Sequence, residues 1–100
     1  MNRKQTDISI VIPLLNEEGN IQILYDALIP VIENITTNYE IIFVDDGSQD
    51  HSFELINGIC KQNNRVLGIS LSRNFGHQIA LTAGLEHSSG EVIVTMDADM

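Results

Sequence analysis

The chain has 100 residues, enough for one small domain with one core, so a single domain over residues 1–100 is expected. A hydrophobic share of 43% with only 2 prolines fits a globular chain, not a disordered one. With 5 Lys and Arg against 14 Asp and Glu the net charge is −9, which argues against a nucleic-acid surface and against unaided docking on an anionic membrane leaflet, since both need clustered basic side chains.

Residues 8–13 are apolar apart from Ser9 and rich in β-branched side chains, so they read as a buried strand. The run is too short for a secretory leader: Arg3 and Lys4 precede it, but it holds Pro13 and soon meets Asn16 and Glu17. No stretch approaches the roughly 18 apolar residues of a membrane span. The segment is therefore expected to be soluble and cytoplasmic. Asn16 is expected to cap a helix, with Glu17 and Glu18 in its first turn. Ile21, Leu24, Leu28, Val31, Ile32 and Ile35 keep helical spacing, and Pro30 is expected to kink or break that helix.

Residues 41–44 form a second strand, closed by Asp45, Asp46 and Gly47. Phe53, Ile56, Ile59 and Cys60 mark a second helix, with the single cysteine on its apolar side as a buried, inert thiol. Residues 66–71 make a third strand. Residues 77–87 make a third helix, weakened by Gly84 and ended by Ser88, Ser89 and Gly90. Residues 91–96 make the fourth strand, with Val92, Ile93 and Val94 expected to be buried.

Strand and helix alternate throughout, and the strands lack a clean polar alternation. The fold class is therefore α/β: a Rossmann-like parallel sheet with right-handed crossovers and helices on both faces. In such sheets the ligand site lies beyond the C-terminal strand ends, where the strand order reverses. The polar residues that follow the predicted strands fall on that edge.

After the first strand, the turn Pro13-Leu14-Leu15-Asn16-Glu17-Glu18 exposes backbone groups that can pair with a nucleobase edge; an ordinary helix cap is the plainer account. After the second, Asp45 and Asp46 at a partly solvated strand end can accept hydrogen bonds from a base or from ribose hydroxyls, although Asp, Gly and Ser are also common turn residues. After the third, Arg73 is the only Lys or Arg at a strand end and can pair with a phosphate or a carboxylate; a surface ion pair is the commoner fate of a lone Arg. His77 has no visible partner and reads as helix start or packing, while His51 and His87 read as solvated positions near helix ends. After the fourth, Asp97 and Asp99 are two apart, so they point the same way along an extended chain. Such a pair suits a hard divalent cation, Mg²⁺ or Mn²⁺, bridging to a diphosphate.

Taken together, residues 11–17 (Val-Ile-Pro-Leu-Leu-Asn-Glu), residues 39–48 with Asp50, residues 71–78 (Leu-Ser-Arg-Asn-Phe-Gly-His-Gln) and Asp97-Ala98-Asp99 resemble a family 2 glycosyltransferase of the GT-A fold. More narrowly they are similar to the polyprenyl-phosphate glycosyltransferases related to dolichol-phosphate mannose synthase. The resemblance implies the N-terminal, nucleotide-sugar-binding half of such an enzyme. It implies that Pro13, Leu15 and Glu17 line the nucleotide pocket, that Val44 and Asp46 meet base and ribose, that Arg73 contacts substrate, and that Asp97, Ala98 and Asp99 hold metal and diphosphate. The reaction implied is metal-dependent, inverting transfer from a nucleotide sugar to a polyprenyl phosphate at the cytoplasmic face of the bacterial inner membrane. UDP-glucose is the first expectation for the donor, ahead of UDP-N-acetylglucosamine, an aminoarabinose donor and GDP-mannose.

Family members have a further half domain and often C-terminal membrane helices, so a chain ending at Met100 is expected to be an inactive N-terminal piece, with an exposed sheet edge open to self-association. The alternative is a receiver-type signalling domain with an acidic Mg²⁺ pocket, although its acid pair would follow the first strand rather than the second. A dinucleotide-binding domain ranks last, because the first turn lacks Gly-x-Gly-x-x-Gly.

Overall fold

The computed structural model describes residues 5–99; Arg3, Lys4 and Met100, which entered the expectations about a leader and the chain end, lie outside the described residues. Strands β1 (Ile8–Leu14), β2 (Tyr39–Asp45), β3 (Val66–Ser70) and β4 (Val92–Thr95) alternate with helices α1 (Ile21–Ile35), α2 (Ser52–Gln62) and α3 (His77–His87). The strands form one parallel sheet in the order β3-β2-β1-β4.

That order follows from handedness. The chain steps from β1 outward to β2 and β3, then returns past both to lie on the far side of β1. Right-handed crossovers then require α1 and α2 on one face and α3 on the other. The core divides accordingly. Ile10, Ile12, Ile41 and Phe43 pack with Ile21, Leu24, Ile56 and Ile59 of α1 and α2, while Val11, Ile42 and Val44 pack with Ala80 of α3. Alternate residues of β1 and β2 thus face opposite helical layers, which is why both strands are apolar nearly throughout. Each fully buried Ile or Phe contributes about 1.5–3 kcal/mol.

Glycine sets how closely α3 lies on the sheet. A Cβ on Gly84 would run into the side chains of Val11 and Val44, so the helix backbone rests directly on the two central strands.

Three expectations are corrected. Helix α1 begins at Ile21 with Asn20 as its N-cap, not after Asn16, which has a left-handed backbone (φ 55°) and sits in the loop that precedes the helix. Pro30 does not break α1, which continues to Ile35; buried Ile21, Leu24 and Ile32 hold it on the sheet despite the missing N–H. Val92, Ile93 and Val94 are 55%, 44% and 40% exposed rather than buried, because β4 is an edge of the sheet among the described residues. The order also disposes of the receiver-type alternative, in which the first strand would lie between the second and third. Among the described residues, no helix is long and apolar enough to cross a membrane.

Candidate functional site

Strand order reverses at β1, between β2 and β4, and there the C-terminal strand ends open into a cleft of about 380 Å³. Pro13, Leu14, Leu15 and Glu17 line it from the end of β1 and Asp46 from the end of β2. Asn74, Gly76, His77 and Ala80 line it from the start of α3, and Asp97, Ala98 and Asp99 from the end of β4.

The Asp-Ala-Asp segment alternates as an extended chain must. Ala98 is buried against the α1 and α2 layer, while Asp97 and Asp99 on either side are exposed. No group of three or more His, Cys, Asp and Glu that could enclose a metal ion occurs among the described residues. A cation here would take two carboxylates from the protein and the rest of its shell from water and ligand oxygens. Hard cations that accompany diphosphates are commonly held in that way.

Asp46 is nearly buried, and both of its carboxylate oxygens accept a backbone N–H. One carboxylate oxygen accepts the Phe75 N–H at 2.8 Å and the other accepts the Gly76 N–H at 3.1 Å. Gly76 is the N-cap of α3 and has φ 106°. A side chain from the end of β2 therefore fixes where α3 begins, and with it the position of His77. The neighbouring Asp45 is directed elsewhere and accepts the Ser48 N–H at 2.9 Å.

The loop after β1 has no regular structure of its own and is laced to the loop after β2. The Asn16 N–H donates to Ser48 Oγ at 2.8 Å, the Glu17 N–H to Ser52 Oγ at 2.9 Å and the Glu18 N–H to Asp50 Oδ2 at 3.1 Å. In return Asn16 Oδ1 accepts the Gln49 N–H at 2.8 Å, and Glu18 Oε1 accepts the His51 N–H at 2.8 Å. Asn is among the few residues that tolerate the left-handed backbone this lacing requires. Leu15 and Glu17 thus enter the cleft on a loop held from the side.

Of the residues singled out from sequence, Pro13, Leu15, Glu17, Asp46, Asp97, Ala98 and Asp99 share this cleft. Val44 does not; it is fully buried and packs on the α3 side of the sheet. Arg73 is also outside it, exposed, with its guanidinium 4.9 Å from the Phe75 ring centre. His77 and Asn74 line the cleft although nothing in the sequence gave them a partner. The available signal was positional: both stand where the third helix begins, on the strand-end edge.

The family model for glycosyl transferase family 2 matches residues 9–100. The chain is 47% identical over 92 residues to the uncharacterized glycosyltransferase YkcC of Bacillus subtilis (strain 168), covering 92% of this chain and 28% of that protein. It is 37% identical over 94 residues to the undecaprenyl-phosphate 4-deoxy-4-formamido-L-arabinose transferase of Aeromonas hydrophila, covering 93% of this chain and 29% of the relative. The chain thus spans under a third of the length of these curated relatives. Among solved structures, glucosyl-3-phosphoglycerate synthase from Mycobacterium tuberculosis, in complex with Mn²⁺, UDP and phosphoglyceric acid, matches with a TM-score of 0.70 at 29% identity, over 95% of this chain and 33% of that one. The parallel sheet and its helices are those of the GT-A fold.

Proposed function

The chain belongs to glycosyl transferase family 2, and on that basis we propose that the protein transfers a sugar from a nucleotide-sugar donor to a polyprenyl phosphate. The observation that carries the reading is the meeting of Asp97 and Asp99 with Asp46 and the start of α3 in one cleft at the reversal of strand order. The undecaprenyl-phosphate transferase among the relatives supports the acceptor class, and the UDP and Mn²⁺ held by a structural neighbour support a UDP-sugar donor. UDP-glucose is the first donor to try. The acceptor class implies work at the cytoplasmic face of the bacterial inner membrane.

In this reading the nucleotide lies against Pro13, Leu15 and Glu17, with backbone groups of the laced loop at the base edge. Asp46 keeps its two bonds to Phe75 and Gly76 and still has free lone pairs for a ribose hydroxyl or a base N–H. Val44 acts from beneath as packing for that strand end, and Arg73 serves substrate only by leaving its place over Phe75. Asp97 and Asp99 fit Mg²⁺ or Mn²⁺ as exposed hard-oxygen ligands beside the diphosphate, with Ala98 anchoring them in the core. When bound, such a cation offsets the charge that gathers on the leaving diphosphate.

The transfer itself needs little proton chemistry. An oxygen of the acceptor phosphate attacks the anomeric carbon from the side opposite the diphosphate. The new C–O bond forms as the bond to the diphosphate oxygen breaks, the nucleoside diphosphate leaves with that electron pair, and the configuration inverts. The nucleophile is already anionic near neutral pH, so a strong general base is not required.

The test is incubation of the full-length protein with radiolabelled donor, undecaprenyl phosphate and Mn²⁺. Label moving into the organic phase as a lipid-linked sugar is expected. No transfer from UDP-glucose, UDP-N-acetylglucosamine, the aminoarabinose donor or GDP-mannose contradicts the proposal.

A further inference from the structure

At the opposite end of the sheet from the cleft, one carboxylate ties three chain segments together. Glu40 Oε2 accepts the Ser9 hydroxyl at 2.5 Å, the Ser89 N–H at 2.7 Å and the Ser89 hydroxyl at 3.0 Å. Ser9 has no exposed surface, and its oxygen in turn accepts the Gly90 N–H at 2.7 Å. Ser9 and Glu40 are register partners on β1 and β2 and face the α3 side. Gly90 is required there: a Cβ on it would lie 2.5 Å from Ser9 N and 2.6 Å from Ser9 Oγ.

This knot stands where the chain leaves α3 and enters β4. Strand β4 needs an external reference. It pairs with β1 alone among the described residues, over four residues, and all four are exposed. Its sequence Val-Ile-Val-Thr carries no charge on either face and every residue is exposed, so a slip by one residue exchanges one uncharged, β-branched side chain for another. Burial of these four side chains does not choose the register; the choice falls to what flanks the strand, the knot at Gly90 before it and buried Ala98 after it. A slip would nevertheless turn Asp97 and Asp99 to the other face and put Ala98 in their place. Asp97 lies seven residues beyond Gly90, about 23 Å along an extended chain.

We propose that Glu40, Ser9 and Gly90 are positioning residues for Asp97 and Asp99, setting the register of β4 from the far end of the sheet. The inference rests on the site reading above for its functional consequence, but not for its structural one. The same knot holds the C-terminal end of α3, while Gly84 seats its middle and Asp46 its start, so both elements that bring His77 and the Asp pair to the cleft share this reference.

Two readouts on the full-length protein test it. In Glu40→Ala, amide hydrogen exchange over residues 92–96 is expected to quicken about tenfold, as loss of charged hydrogen bonds implies, while residues 52–62 of α2 keep wild-type protection. The Mn²⁺ concentration giving half-maximal UDP binding is expected to rise by a similar factor. Glu40→Gln, which keeps an acceptor oxygen, should restore most of both, and Ser9→Ala gives a milder version should Glu40→Ala fold poorly. Unchanged exchange over 92–96, or equal loosening of α2, overturns the proposal. If the wild-type protein binds UDP without any metal dependence, the metal reading of the site fails, and the exchange data still judge the knot.

Discussion

Asp46 holds the first residue boundary of α3: its Oδ2 accepts the Gly76 N–H at 3.1 Å across 30 positions of sequence. The group at the end of β2 that faces the cleft is therefore also the group that places the helix on the cleft's other wall. Cleft lining and scaffold are the same side chain.

Replacing Asp46 by Asn should separate badly from the wild type. An amide offers one acceptor oxygen where two are used, so one charge-assisted bond to the start of α3 is lost, and the Gly76 N–H is left with Asn74 Oδ1 at 3.1 Å as its acceptor. A loss of about 1–3 kcal/mol in unfolding free energy is expected, together with weaker nucleotide binding. Urea denaturation measures the first; an unfolding midpoint equal to wild type would show that the two bonds hold nothing.

Two glycines should respond to alanine with opposite signs. Gly47 has φ 80°, and a Cβ there would strike the backbone of Arg73 and Asn74, where the loop after β2 meets the loop before α3. Gly47→Ala should cost about 2 kcal/mol or more. Gly58 lies inside α2 with open space where a Cβ would go. Gly58→Ala should stabilise the protein by about 0.5–1 kcal/mol through better helix propensity. Paired denaturation curves check both, and a stabilising Gly47→Ala would mean that the two loops do not pack as described.

Asp50 gives the acid limb of stability a specific contributor. Desolvation is the largest single influence on its carboxyl and raises its pKa, but the hydrogen bonds from the Ser52 side chain and backbone and from the Glu18 N–H together outweigh it, so the group titrates below the ordinary aspartate value. The folded value lies under the unfolded one. The contribution is then present at neutral pH, above the unfolded value, and is lost as the pH falls through the folded one. Asp50→Asn should flatten the decline of unfolding free energy on acidification. An identical pH profile in the mutant would remove Asp50 from the lacing of the two loops.

Much of this fold is written plainly in the chain. The bounds of α3 agree from sequence to structure, and the runs of β1 to β3 differ only at their ends, because apolar β-branched stretches between polar turns leave little else to form. The departures have local causes. Asn16 looked like a cap because caps and left-handed turns use the same short polar side chains, and only the partner loop, more than 30 residues away, decides between them. Val92 to Val94 looked buried because an apolar strand gives no sign of being at an edge. His77 looked idle because its setting is made by Asp46, a residue remote in sequence. Arg73 drew attention as a lone cation, but its charge is spent over Phe75 outside the cleft.

The account depends above all on Asp97 and Asp99 acting together beside a diphosphate. Calorimetric titration of UDP-glucose into full-length wild type, Asp97→Asn and Asp99→Asn, each with and without Mn²⁺, tests this most directly. The account predicts tight binding to wild type only with Mn²⁺, and a loss of that metal-dependent gain in both variants while their circular dichroism stays unchanged. Mn²⁺-dependent binding of equal strength in either well-folded variant would contradict it.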